Sequence, residues 1–300
     1  MTQAAHQSPG WADAHLGDTE FEVLSAFIYE HCGIRYAPGK RVTLEARLRK
    51  RLRALSLDSF VEYSSRVLGP SALPEEIVRM IDEVTTNKTD FFREPAHFDF
   101  LLREVLPVMN DAGVGTGVGQ QPELVVWSAA CSTGEEVYTL AMVLADASEK
   151  GPRLRFSILG TDLSTEVLEV ARRAVYDEKL VEPVPALMRR RYLLQSCNPE
   201  SRLVRIVPDL RARARFVNLN LLSPFTMRGA PHVIFCRNVL IYFDRRTQKR
   251  VLDRLCRLLA PGGYLFLGHS DSITGLELPL GQRVPSVYRK PLGAPARQGG

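Results

Sequence analysis

The chain has 300 residues, 45% hydrophobic and 24% charged, with a formal net charge of +5 and a pI near 9.0. Such a composition suits an ordinary soluble globular protein with one large domain or two unequal ones, and the basic excess suggests an anionic partner. No apolar run reaches the ~18 residues of a membrane span, and "MTQAAHQSPGWADAHLGDTE" lacks a basic region followed by an apolar segment. Neither membrane insertion nor a signal peptide is therefore indicated, and a cytoplasmic location is expected.

The five cysteines, Cys32, Cys131, Cys197, Cys236 and Cys256, are scattered without C-x-x-C spacing. This argues against a disulfide framework or a zinc site, so no metal is expected.

In chain order, residues 1–18 carry no periodic pattern and read as a disordered tail. "TEFEVLSAFIYEHCG" opens with Thr19 and, three residues on, Glu22, the pattern of a capping box. It then places Phe21, Leu24 and Ile28 at helical spacing before Gly33. Leu44, Leu48, Leu52 and Leu55 continue the rhythm in a second helix whose other faces carry Arg47, Arg49, Lys50, Arg51 and Arg53. Residues 40–53 hold seven basic side chains and one acid. That patch suits RNA phosphate or an acidic protein surface equally well. "DSFVEYSSRVL" and "PEEIVRMIDEVTT" add two helices, the second with Pro74 in its first turn. Residues 19–86 thus read as a helical domain.

Residues 87–121 are expected to be a linker and connecting helix, containing "PAHFDFLLREVLPVMN" and the Gly-rich surface loop "DAGVGTGVGQQPE". Over 122–290 apolar and helical segments alternate: "ELVVWS", "EEVYTLAMVLADAS", "RFSILGTD", "TEVLEVARRAVY", "ARFVNL", "HVIFCRNVLIYF", "RTQKRVLDRLCRLLA" and "GGYLFLGH". This predicts a mostly parallel sheet covered on both faces. Within it, residues 180–213 hold short apolar runs around "CNPES" and predict a small antiparallel insertion. Residues 291–300 read as a second disordered tail.

In such sheets a ligand lies beyond the carboxyl ends of the strands, where Ser128 to Glu135, Thr161 and Asp162, Asn218 to Asn220 and Cys236 to Tyr242 should converge. "VVWSAACSTGEE" has no Gly-x-Gly-x-x-Gly, and Glu135 and Glu136 would repel a pyrophosphate at that helix start while tolerating a cationic or zwitterionic ligand. Acids at a helix N-terminus also complement its dipole. Asp162, 28 residues after Gly134, has the spacing of a ribose-binding carboxylate, and Ser164 can cap the next helix in its place. Arg237, Asn238 and Tyr242 emerge from a strongly apolar strand and need either a site or a satisfied loop network. In "TTNKTDFFRE", Asn87, Thr89 and Arg93 alternate with an aromatic anchor. His269 reads as a hydrogen-bonded structural residue near a strand end.

As a set, "TTNKTDFFRE", "WSAACSTGEE", "GTDLSTEVLEVARRAVY", "FVNLNLL", "FCRNVLIYFD" and "LAPGGYLFLGHSDSI" resemble the CheR-type chemotaxis receptor methyltransferases over roughly residues 19–290. The resemblance implies an all-α N-terminal domain, a Rossmann-like α/β methyltransferase sheet that binds S-adenosylmethionine, and an inserted antiparallel β-subdomain. It further implies protein-glutamate O-methyltransferase activity on the cytoplasmic helices of chemoreceptors, giving glutamyl methyl esters and S-adenosylhomocysteine for chemosensory adaptation. Carried over by motif, Asn87, Thr89, Arg93, Gly134, Glu135, Asp162, Asn220, Leu221, Arg237 and Asn238 bind the cofactor. Arg93 and Tyr242 orient the substrate carboxylate. "FVNLNLL" holds two Asn-Leu pairs, so Asn218 competes with Asn220 for its place.

A glutamate of ordinary pKa, about 4.3, is already ionised at neutral pH and needs positioning rather than a general base. Arg47, Arg49, Lys50, Arg51 and Arg53 then become candidates to dock glutamate-rich receptor helices, with a solvated basic face as the alternative. A monomer with no nucleic-acid partner is expected. The alternatives are a non-catalytic S-adenosylmethionine-binding signalling module and a nucleic-acid methyltransferase, the latter lacking the Asn-Pro-Pro-Tyr of amino-group methylases.

Overall fold

The computed structural model describes residues 10–70, 72–115, 123–151, 153–198 and 200–293. The chain divides into two compact units. The first comprises residues up to Thr86 with Leu163–Thr165 and Tyr242–Asp244, and the second the remainder.

In the first unit, helices α1 (Gly10–Asp13), α2 (Asp18–Cys32), α3 (Arg41–Leu55), α4 (Phe60–Leu68) and α5 (Pro74–Val84) surround one core. The core follows from spacing. Phe21, Leu24, Ile28 and Cys32 form one stripe of α2, and Leu44, Leu48 and Leu52 recur every fourth residue on α3, so each helix buries a single face. Gly33 ends α2 with a φ of +73°, and Ser59 caps α4 by accepting from the Glu62 N–H.

Two expectations fail here. The capping box does not form: α2 begins at Asp18 with Gly17 at its N-cap and no side-chain cap, which leaves Thr19 inside the first turn. Residues 10–18 are not the disordered segment expected, because residues 10–13 are helical and Ala14 and Leu16 are buried in the core. The rest of that tail, residues 1–9, lies outside the described residues, as do 294–300 and residues 116–122 of the Gly-rich loop.

The second unit opens with α6 (Ala96–Phe100), a π turn at Leu101–Val105 and α7 (Leu106–Asp111). There follow β1 (Leu124–Ala129), α8 (Glu135–Lys150), β2 (Phe156–Asp162), α9 (Thr165–Arg173), β3 (Val175–Asp177) and α10 (Ala186–Tyr192). Next come β4 (Leu193–Gln195), β5 (Leu203–Ile206), α11 (Pro208–Arg211), β6 (Ala214–Asn218) and β7 (Val233–Cys236). The chain closes with α12 (Arg245–Leu258), β8 (Tyr264–Leu267), β9 (Gly281–Val284) and β10 (Val287–Arg289).

Seven strands form a sheet in the order β6-β2-β1-β7-β8-β10-β9. From β6 to β8 all pairings are parallel, and β10 and β9 add an antiparallel edge. The fully buried strands β7 and β8 read as unbroken apolar runs, as covered parallel strands do. Strand order reverses between β1 and β7, so a crevice is expected beyond the carboxyl ends of that pair.

A separate antiparallel sheet has the order β3-β5-β4. Its first strand, Val175–Asp177, precedes the 180–213 segment, and its Val175 and Tyr176 are read from sequence as the end of a helix. Ala174 enters the left-handed region at φ +54° and stops α9, after which Val175 and Tyr176 pair with β5. The β9–β10 hairpin was not legible at all, because every residue of β9 is exposed and no apolar alternation marks it.

Candidate functional site

β1 ends at Ala129, and the chain then turns sharply: Ala130, Ser132 and Gly134 all take positive φ before α8 begins at Glu135. Gly134, at φ +95°, is required twice over. A Cβ there would lie 2.8 Å from the Ala171 Cβ and 3.1 Å from the Tyr176 hydroxyl. Tyr176 braces the turn by donating to the Thr133 carbonyl at 2.8 Å.

Around this turn the sequence-derived residues Asn87, Gly134, Glu135 and Asp162 come together. The Ser132 N–H donates to Asp162 Oδ2 at 2.8 Å, and the Ser132 hydroxyl donates to the Asn87 carbonyl at 2.7 Å. Glu135 is 3% exposed and accepts from the Thr133 hydroxyl at 2.6 Å. Burial pushes its carboxyl above the usual range and Asp90 adds to this, while Thr133 and a backbone N–H oppose it. A buried carboxylate in this state favours a cationic ligand. With Gly134 admitting close approach and Asp162 nearby, the donor set fits S-adenosylmethionine, whose amino acid portion carries an ammonium beside a sulfonium.

At the end of β6, the Asn218 amide donates to the Asp162 carbonyl at 3.2 Å, and the Leu219 N–H donates to the same oxygen at 2.9 Å. Asn220 lies one turn on, its side-chain oxygen accepting from the Leu222 N–H at 2.9 Å. The Leu221 carbonyl accepts from Arg254 at 2.7 Å. Asn218 therefore ties β6 to β2, while Asn220 and Leu221 shape the loop beyond them.

Arg237, expected from sequence to bind the cofactor, is also tied into the protein itself. Its guanidinium is 3% exposed and sits among internal partners: Glu136 Oε2 at 3.2 Å, Glu94 Oε2 at 3.2 Å and the Arg93 carbonyl. Burial raises the Glu136 carboxyl, with Arg237 as the leading opposing influence. Burial is also the largest influence on Glu94, yet Arg237, the His269 N–H and nearby histidines together outweigh it and hold that carboxyl below its usual range. Sequence reasoning missed Glu94 and Glu136 as partners of Arg237; the second acid of "GEE", in an apolar helix, was the available signal.

Asn238 sits at φ +57°, its N–H donating to Asp271 Oδ2 at 2.6 Å. The same oxygen accepts from the Gly268 N–H at 2.9 Å. A Cβ at Gly268 would come within 2.5 Å of the Asn238 amide nitrogen, so glycine is needed there.

Arg93 donates to the Lys88 carbonyl at 3.1 Å from a half-buried position, and Thr89 is half-buried in the same loop. His269 is exposed, and its backbone N–H donates to Glu94 Oε1 at 3.2 Å. Glu94, His97 and His269 bring one possible ligand atom each within 4.8 Å of one another. The Arg237 guanidinium already shares the Glu94 carboxylate, so the cluster reads as an ion-pair network.

Tyr242 ends a single 3-10 turn, Leu240–Tyr242, and belongs to the first unit. The basic residues of α3 also lie in that unit and are largely engaged within it. Arg47 donates to the Val84 and Thr85 carbonyls, and Arg49 reaches Glu45 and the Ala14 carbonyl. Lys50 pairs with Glu83, Arg51 grips Glu76 with two nitrogens, and Arg53 lies over the Trp11 ring. Much of the charge that suggested a docking face therefore holds the helices together, and only Lys50 and Arg53 of the five are exposed.

The chain matches known proteins along most of its length. Residues 19–85 match the family described as CheR methyltransferase, all-alpha domain, and residues 87–283 match CheR methyltransferase, SAM binding domain. The chain is 39% identical to the chemotaxis protein methyltransferase of Escherichia coli K12 over 91% of both chains. It is 36% identical to chemotaxis protein methyltransferase 2 of Pseudomonas aeruginosa, over 88% of this chain and 90% of that one. It is 34% identical to the chemotaxis protein methyltransferase of Borreliella burgdorferi, over 90% and 94%.

Proposed function

Because the chain belongs to the CheR methyltransferase family and its cofactor is S-adenosylmethionine, we propose that it methylates glutamate side-chain carboxylates on the cytoplasmic helices of chemoreceptors. The observation that carries this reading is the turn after β1. It offers the buried carboxylate of Glu135 and the tethered carboxylate of Asp162 where a phosphate-binding turn would offer glycines and open N–H groups.

S-adenosylmethionine supplies an electrophilic methyl group when bound. The protein's own part is positional. Glu135 offers negative charge to the ammonium end, and Asp162, with Asn87 near it, suits the ribose hydroxyls. Gly134 keeps the turn narrow enough for close approach. The substrate carboxylate is ionised at neutral pH, so it needs orientation and partial desolvation rather than proton removal. Arg93 and Tyr242 are proposed for that role from their positions in the family motifs. Lys50 and Arg53 remain the exposed cations of α3 able to meet an acidic receptor helix. The enzyme would work in the cytoplasm as a monomer; among the described residues no helix is long and apolar enough to cross a membrane.

The test is incubation with methyl-labelled S-adenosylmethionine, a chemoreceptor cytoplasmic fragment and RNA. Label released from the receptor by mild base as methanol is the expected result, since a carboxyl methyl ester is base-labile. Label on RNA alone would overturn the proposal, and label on no candidate receptor would favour a non-catalytic cofactor-binding module.

A further inference from the structure

Two bulky residues flank Arg93 in the left-handed region, Phe92 at φ +54° and Glu94 at φ +56°. An L-residue other than glycine held there is strained, and such strain persists only where surrounding contacts over-determine it. The contacts are present on both sides. The Phe92 N–H donates to the Thr139 hydroxyl at 3.1 Å, and that hydroxyl donates in turn to the Glu135 carbonyl at 2.7 Å. On the other side one guanidinium, that of Arg237, takes the Arg93 carbonyl and the Glu94 carboxylate together.

Arg237 is itself held. Glu136 Oε2 lies 3.2 Å from Nη1, and Glu136 Oε1 accepts from the Ser128 hydroxyl at 2.7 Å, so the anchor runs back to the end of β1. The Phe98 and Phe235 rings lie 5.7 and 6.0 Å from the guanidinium carbon. Two acids, 11% and 13% exposed, thus meet one buried Arg. Such groups contribute little net stability compared with apolar packing of the same volume. Their geometry, by contrast, determines where the Arg93 backbone points.

We infer that Glu136 and Arg237 are positioning residues: through the Arg237 guanidinium they clamp the strained Phe92–Glu94 backbone and so aim the Arg93 side chain at the reacting carboxylate. The inference rests on the proposed reading of Arg93 as the residue that orients the substrate. Glu136, one residue after the cofactor-facing Glu135, links cofactor turn and substrate-orienting residue through one helical turn of α8.

Glu136→Gln preserves size and the contact with Ser128 but removes the charge facing Arg237. Arg237→Lys keeps the charge but cannot span the Arg93 carbonyl and both carboxylates. Each is expected to lower kcat between about 10- and 100-fold, as small misplacements of an orienting group do, and Glu136→Gln should do so with the cofactor Kd within about twofold of the parent. In an Arg93→Ala background, Glu136→Gln should lower kcat no further, because nothing remains to be aimed.

A multiplicative loss in that background overturns the inference. So does a variant whose only defect is a lower melting temperature, with kcat per folded molecule unchanged. A parent enzyme that esterifies no receptor carboxylate overturns the functional reading itself, which separates the two failures.

Discussion

The backbone N–H of Ser132 donates to the Asp162 carboxylate at 2.8 Å, so the turn after β1 and the end of β2 form one unit of structure at the sheet's carboxyl edge. Asp162 therefore holds the turn, and on the proposed reading it has a second task, to meet the cofactor. Asp162→Ala removes both and Asp162→Asn retains an acceptor for Ser132. With a hydrogen bond to a charged group contributing ~1.5–3 kcal/mol, Asp162→Ala should weaken S-adenosylmethionine binding by roughly 10- to 100-fold, and Asp162→Asn by less. Isothermal titration calorimetry with the non-reactive product S-adenosylhomocysteine measures both, and equal affinities for all three proteins would refute the assignment.

Gly134→Ala should destabilise the second unit. It forces an alanine into φ +95° and drives its Cβ to 2.8 Å from the Ala171 Cβ. Left-handed strain and overpacking together predict a loss of about 2–4 kcal/mol. Ala171→Gly in the same chain relieves the contact but not the φ, so it should restore only part of the loss. Complete restoration in thermal unfolding would show that the dihedral contributes nothing.

Arg51 and Glu76 form a two-pronged buried pair in the first unit, 15% and 5% exposed, with the Tyr63 hydroxyl also donating to Glu76 at 3.0 Å. Removing one member leaves the other buried and unpaired. Arg51→Ala should cost about 3–5 kcal/mol, whereas the paired change Arg51→Met with Glu76→Leu should cost much less. Urea unfolding of the three proteins checks this, and an Arg51→Ala midpoint equal to the parent's would exclude a structural role.

His97 supplies a pH signature. Burial first, then the Arg237 guanidinium and His269, push its pKa down to about 4 from 6.5, with Glu94 acting against them. In the folded protein His97 is thus neutral at pH 6, where the unfolded chain binds a proton. Its contribution to stability is complete above pH 6.5 and declines as the pH falls towards 4. His97→Leu should flatten the fall in stability across that window. The check is the denaturation midpoint of both proteins at pH 7.5 and 4.5, and an unchanged difference between the two pH values would count against the assignment.

Much of this molecule was legible in the chain, for identifiable reasons. Leu44, Leu48 and Leu52 recur at the period of one helix face, and the runs that became β7 and β8 are apolar throughout, so these elements declare themselves locally. Asp162 and Glu135 were legible because polar residues at the end of an apolar strand, or at the start of the helix after it, stand out. β3 was not, since three residues following a helix carry no period, and the exposed strand β9 offers no apolar face. The basic side of α3 was visible as charge, but its partners Glu76, Glu83 and Val84 lie on another helix, and only packing shows where that charge goes.

The sequence by itself determined the helical and alternating halves of the chain, the turn that departs from phosphate-binding form, and the acids that make it suit a cationic nucleoside. These depend on spacing along one strand or helix and on the chemistry of neighbouring residues. The tertiary structure alone decided which groups of the protein Arg237 meets. Glu94, Glu136 and Arg237 are far apart in the chain and meet only because the switch in strand order sets the end of β7 beside that of β1. Burial then sets the guanidinium among the Glu94 and Glu136 carboxylates and the Arg93 carbonyl.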